Sequence, residues 1–257
     1  MVIPNEYFII HFMKKKLYLI LIPALLWASI ILNGQVFIEM GSPVNPRDAF
    51  GSINVYGSDG LVKSIPYNRI KGSPFLFEEW NTGVLYDYRD SILAKCPVRM
   101  NLATQEIHFL NLKGEEMVPV RAVVKKVFIY DVDDSTKLLA SFNNNIPEIR
   151  LQTKNKDYFV QELNKGKAQL LKITLRKVES ADSLFGTQKR YFFSDQAEYY
   201  LQVNNKVERI KRLTKEEFFV FLPEVSKYNS WIREKKLKFR NEEDFVVFLD
   251  HYNNSYK

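Results

Sequence analysis

Short runs of Val, Ile, Leu, Phe and Tyr recur between turn residues across positions 82–142, and the same rhythm returns across 157–210. β-Branched and aromatic side chains fill a pleated, half-buried surface, while Gly, Asn and Asp punctuate it. The runs 83–88, 97–102, 105–110, 117–120, 126–130 and 138–142 read as strands. Spacing this regular predicts an antiparallel meander rather than βαβ units. Asn143-Asn144-Asn145 reads as a linker or long loop. A second set of strands is expected at 157–163, 168–178, 190–193, 198–203 and 207–210, with a loop at 181–186. Asn164-Lys165-Gly166-Lys167 and Asn204-Asn205 are hairpin-turn signals within that set.

The flanks differ. Residues 36–72 are dense in turn formers, including Gly41-Ser42-Pro43 and Asp59-Gly60. They read as an extended arm with one hairpin about Asp59-Gly60. Ser73-Pro74-Phe75-Leu76-Phe77-Glu78-Glu79-Trp80 has the signature of a short helix, with Ser73 as N-cap and Pro74 in the first turn. At the other end, Thr214-Lys215-Glu216-Glu217 is a capping box. Phe221, Leu222, Val225, Tyr228, Trp231 and Ile232 then recur at helical spacing, interrupted at Pro223. Asn241-Glu242-Glu243-Asp244 opens a last helix that places Phe245, Phe248, Leu249 and Tyr252 on one face. The fold class is therefore α+β: mainly antiparallel strands with a C-terminal helical hairpin. The expected division is a β-rich domain over 35–212, with two sub-sheets meeting near 143–156, and the helical hairpin over 213–257.

The N-terminus carries a different message. Lys14-Lys15-Lys16 precede an apolar run over 17–32, followed by Asn33-Gly34-Gln35. A basic segment, an apolar segment and a small residue in that order form an export signal. Residues 1–34 are read as this signal, with Met13 as the true start and 1–12 as a mis-assigned extension. The alternative is an uncleaved anchor, the one case in which a membrane is a partner. No cysteine follows the signal to carry a lipid. The only cysteine, Cys96, excludes an internal disulfide and reads as a buried, inert thiol. The fold must stand on its hydrophobic core.

The charge of +7 falls slightly when residues 1–34, with three lysines and one glutamate, are removed. That moderately basic balance permits weak attraction to acidic lipid or polysaccharide but compels nothing. Residues 206–240 hold eleven Lys or Arg against five Glu, with aromatics interleaved. The aromatics fall on the apolar helical face, so the segment reads as a solvated helix surface and not as a nucleic-acid reader.

Catalytic signals are sparse. Asp131, Asp133 and Ser135 follow an apolar strand at two-residue spacing. They resemble the opening of a haloacid-dehalogenase-type phosphatase or a calcium loop, and are the weak candidates for a metal site. Thr is expected where Ser135 stands, and the calcium-loop Gly and Glu are missing, so an acidic turn is the favoured reading. His108 and His251 are the histidines beyond the signal, and no Gly-x-Ser-x-Gly elbow accompanies them. No catalytic residue or cofactor is assigned.

Three stretches together resemble a family of uncharacterised exported proteins of Bacteroidetes-type bacteria. They are Lys71-Gly72-Ser73-Pro74-Phe75-Leu76-Phe77-Glu78-Glu79-Trp80 with Gly83, then Gly166-Lys167-Ala168-Gln169-Leu170-Leu171-Lys172, then the terminal segment 214–252. The resemblance implies a periplasmic or cell-envelope location and a β-rich body with a helical end. It implies no activity. The expected function is a non-catalytic binding or structural module whose partner is another envelope protein, a lipid surface or a glycan. The alternative is a periplasmic hydrolase using unidentified carboxylates. When the chain is expressed in an exporting host, N-terminal sequencing should find the mature protein starting within a few residues of Gln35. Retention of Lys14 to Lys16 would establish the anchor instead.

Overall fold

The computed structural model describes residues 41–43, 52–56, 62–120, 122–154, 156–182 and 189–255. The export segment, the Asp59-Gly60 turn and most of the 181–186 loop lie outside the described residues. The fold is α+β. Its strands are β1 (Gly41–Pro43), β2 (Ser52–Tyr56), β3 (Val62–Pro66), β4 (Ile70–Lys71), β5 (Asn81–Tyr86), β6 (Ile92–Asn101) and β7 (Glu106–Leu110). They continue with β8 (Glu116–Pro119), β9 (Lys126–Tyr130), β10 (Leu138–Asn143), β11 (Val160–Glu162), β12 (Ala168–Asp182), β13 (Lys189–Val203) and β14 (Lys206–Ile210). The α-helices are α1 (Pro147–Gln152), α2 (Lys215–Phe219), α3 (Asn229–Glu234) and α4 (Glu242–Ser255). Among the described residues no helix is long and apolar enough to cross a membrane.

One sheet runs in the order β1-β8-β7-β6-β5-β9-β10-β11-β12-β13-β14, with β4 added beside β13. Every pairing is antiparallel except β4 with β13. The meander is therefore real but split: β5 to β8 run one way, and the chain then returns to place β9 on the free side of β5. The hairpin of β2 with β3 stands as a separate two-stranded sheet.

Alternation on β5 turns Asn81, Gly83 and Leu85 inward. With Val98, Met100, Ile107, Phe109, Val127, Ile129 and Phe142 they share one buried face. No described helix contributes to this cluster; the loop residues Leu76, Phe77, Leu102, Val124 and Phe159 pack into it. Gln105 ties these loops to the sheet. It has φ +57°, its Nε2 donates to the carbonyls of Leu102 and Thr174, and its Oε1 accepts from the Phe159 amide. The Arg176 amide also donates to the Leu102 carbonyl, joining the β6–β7 turn to β12. A buried amide with every one of these bonds made is a strong constraint on strand curvature, because each unmade bond would cost about 1–3 kcal/mol.

β12 and β13 pair in register along all fifteen residues of each strand. Sequence reading divides β13 into two strands, at 190–193 and 198–203. The structure joins them because Ser194 to Ala197 continue the same ladder against Lys177 to Thr174. One face of this hairpin, extended by β14, carries Leu170, Leu201 and Ile210 against Phe218, Phe245, Phe248, Leu249 and Tyr252. The other carries Leu171, Ile173 and Tyr200 against Ile149 of α1. That helix replaces part of the loop expected after Asn143, with Pro147 in its first turn and Glu148 beside it.

The C-terminal helices form the expected hairpin, in smaller pieces. Pro223 ends the first apolar run, and the chain reaches α3 through a 3-10 turn at Val225–Tyr228. Tyr228 meets Tyr252, Trp231 meets Phe248 and His251, and Phe239 meets Phe245, which is the contact order of an antiparallel pair. Thr214 accepts from the Glu217 amide as a capping box requires. The reciprocal half differs, since Glu217 accepts from the amides of Lys211 and Arg212 instead. Asn241 accepts from the Asp244 amide at the start of α4. At its far end Asn253 accepts from the Ala168 amide and donates to the carbonyls of Lys165 and Ala168.

The helix expected at 73–80 does not form. The Leu102 amide donates to the Pro74 carbonyl and the Leu76 amide to the Met100 carbonyl, with Phe75 opposite Asn101. Ser73 accepts from the Phe75 amide without capping a helix. The tertiary ladder outcompetes eight residues of local propensity, too few to nucleate a stable helix. Gly83 follows, and a Cβ there would overlap Val98, whose own Cβ would lie at 2.9 Å. Gly83→Ala should lower unfolding free energy in urea by about 1–3 kcal/mol. Adding Val98→Ala should return part of that loss; strict additivity of the two would show that the close approach is not the cause.

Candidate functional site

The acidic turn between β9 and β10 is built from its own backbone bonds. Asp131 Oδ1 accepts from the Asp133 amide, and Asp131 Oδ2 from Lys137 Nζ at 2.9 Å. Asp134 Oδ1 accepts from both the amide and the hydroxyl of Thr136. These bonds hold the carboxyls of Asp131 and Asp134 below their usual range, the Lys137 bond leading for Asp131 and the Thr136 hydroxyl for Asp134. Asp133 and Ser135 are exposed. Among the described residues no group of three or more His, Cys, Asp or Glu converges as metal ligands do.

His108 sits at the centre of a better-formed cluster. It lies on β7 directly opposite Arg99 of β6. Its Nδ1 is 2.7 Å from Glu116 Oε1 on β8, and Arg99 Nη2 donates to the same oxygen at 3.0 Å. The Arg99 guanidinium lies 4.0 Å from the ring centres of both Phe75 and Trp80, held between them. Phe75 meets the imidazole edge to face at 5.2 Å. His108 Nε2 and Arg99 Nε are buried with no hydrogen-bond partner. Burial pushes the Glu116 carboxyl up, but the His108 bond and the Arg99 charge outweigh it and hold it below the ordinary carboxylate range. A histidine oriented by a carboxylate is one half of a nucleophile-activating pair. Here the imidazole packs against Phe75, and the Arg99 guanidinium between Phe75 and Trp80 clamps the 73–80 segment onto the sheet.

The remaining candidates are structural. Burial raises the Cys96 thiol to about 12, which keeps it protonated and unreactive. The His251 ring stacks on Trp231 at 3.8 Å inside the helical hairpin. The basic segment 206–240 spreads its charges over β14 and the helices, while Phe218, Leu222, Ile232 and Phe239 turn into the core.

A cleft of about 880 Å³ opens at the far end of the long hairpin, where β4 joins β13. Ile70 lies opposite Tyr191 and Lys71 opposite Phe192. Gly72, at φ +97°, turns the chain away, and a Cβ there would touch the Phe193 ring at 3.8 Å. Tyr67 packs on Phe193 at 5.9 Å. Arg69, Lys71, Lys189 and Arg190 line the opening and are exposed. Among the described residues none of the four makes an ion pair, in contrast to Arg176 with Asp195 further along the same ladder. Glu179 stands opposite Phe192 in the ladder and makes no ion pair there. Cations without counter-ions around aromatic rings favour an anionic ligand with an apolar face. Sequence reading passed over this place. Its signal is the run Lys189-Arg190-Tyr191-Phe192-Phe193, but the partner strand 70–71 is two residues long and invisible to periodicity.

No family model matches the chain, and neither the curated proteins nor the solved structures return a match to it.

Glu116→Gln should lower stability by about 1–3 kcal/mol at neutral pH, because Arg99 loses its buried counter-charge. A carboxyl whose folded pKa is lowered stabilises above its unfolded pKa and loses that contribution as pH falls through the folded value. Urea unfolding of the two proteins should therefore converge as pH is taken down through the carboxylate range. A difference that stays constant with pH would remove the charge from the explanation.

Proposed function

We propose that the protein is an exported component of the cell envelope with a non-catalytic binding role. The observation that carries this reading is the contrast between two kinds of charged group. Asp131, Asp134, Glu116 and His108, the residues with the chemistry for catalysis, are committed to turns and to a loop clamp. Arg69, Lys71, Lys189 and Arg190 face an open cleft without carboxylate partners among the described residues. Export is supported by Lys14-Lys15-Lys16 and the apolar run behind them. The ligand class drawn from the chain's basic balance is an acidic surface or polymer of the envelope; the resemblance to exported proteins of Bacteroidetes-type bacteria bears on the location alone.

The secreted protein, incubated with isolated envelope material at low salt, should sediment with it. It should be released at about 0.5 M salt, where the screening length falls to a few ångströms. Soluble fragments should not appear in the supernatant over hours. Protein that stays in the supernatant at low salt would sink the binding role. Fragments accumulating with time would replace it with the hydrolase reading.

A further inference from the structure

We infer that the cleft between residues 68–72 and 189–193 takes an acidic oligosaccharide, a sugar chain bearing carboxylate or phosphate groups. This deepens the proposed binding role and rests on it. The argument is one of shape and chemistry together. The opening is a shallow depression of about 880 Å³, large enough for part of a sugar chain to lie in. Lys71, Arg190 and Phe192 lie on the same face of the β4–β13 pair, since Lys71 is opposite Phe192 and Arg190 is two residues before it. A sugar ring has an apolar C–H face and polar edges, which fits the half-buried Phe192 ring with Lys71 and Arg190 beside it. Arginine adds a planar fork that matches a carboxylate or phosphate with two parallel bonds.

The backbone geometry holds this place open. Ile70 is buried at 5 % exposure and pins β4 against the hairpin, and the Ile70 amide closes the preceding 3-10 turn on the Tyr67 carbonyl. The cations therefore project from a fixed edge, and little ordering is required on binding. Lys177, exposed on β12 opposite Ser194, adds positive charge on the adjoining ladder; Glu179, opposite Phe192, and Asp182, opposite Lys189 in register, are the acidic residues at this end of the ladder.

The test uses the full secreted protein and oligogalacturonate of about ten sugars as the carboxylate probe, with neutral dextran as control. Binding is read by calorimetry. The wild type should bind the acidic probe and ignore dextran. Arg69→Glu with Arg190→Glu should weaken binding by about tenfold or more, the scale of one or two charged contacts. Lys113→Glu with Lys236→Glu, the same charge change on exposed sites elsewhere, should weaken it less than about threefold. Phe192→Leu keeps the charge and removes the ring, and should cost a further severalfold; circular dichroism checks that each variant is folded. Equal losses in the two double variants, or no binding of the probe, would overturn the proposal. So would vesicles of anionic phosphatidylglycerol that bind with the same sensitivity to Arg69 and Arg190 while the sugar does not. Failure here is separable from failure of the general role. If the cleft variant still sediments with envelope material, binding stands and the cleft falls. If the probe is bound and shortened, the cleft stands and the non-catalytic role falls.

Discussion

The fifteen-residue ladder between β12 and β13 is the constraint on which the rest of the structure depends. Its near half is buried on both faces, by the helical hairpin on one side and α1 on the other. A strand buried twice loses the freedom to slip, because a shift of one residue would exchange Leu170 and Leu171 between two different cores. Its middle receives the β6–β7 turn through Gln105 and Arg176. Its far half extends beyond the cores and carries the short β4 and the basic cleft. One element thus sets register, curvature and the position of the opening at once.

Polar side chains do much of the specifying. Asn164 is buried in the β11–β12 turn, accepting from the Leu170 amide and donating to the Ala168 carbonyl. Asn253 meets the same carbonyl from the last helix. At the middle of the ladder Arg176 pairs with Asp195 and also donates to the carbonyls of Ser73 and Phe75. Each of these groups has one arrangement in which all its bonds are made. An apolar core of the same volume would accept several curvatures of the sheet; these amides and this guanidinium accept one.

The legible part of the fold was local. Alternation located the strands because one face of each is buried, and the Asn204-Asn205 turn was readable because two residues with positive φ close the β13–β14 hairpin. Phe245, Phe248, Leu249 and Tyr252 announced the buried face of α4 by spacing alone. What failed was whatever depended on distant partners. Ser73 and Pro74 carry helix-start chemistry, yet Met100 and Leu102 recruit that segment into the sheet. Arg99, His108 and Glu116 are ordinary strand residues until three strands set them side by side. The cleft needs a two-residue strand whose only signal is its neighbour. Periodicity reports what faces the core; it is silent about what meets across it.

Asn253 has a consequence in time. It bonds to Ala168, 85 residues earlier in the chain, and the aromatic face of α4 closes the same core. During synthesis at about 5–20 residues per second, roughly 4 to 17 s separate the two halves of that contact. The β12–β13 hairpin closes locally in that interval, with Leu170, Leu201 and Ile210 still bare. A long hairpin with one apolar face uncovered is the kind of surface that pairs with a second chain. The cap that makes this sheet safe is made after the hairpin it covers, so the vulnerable interval of this protein lies between the two.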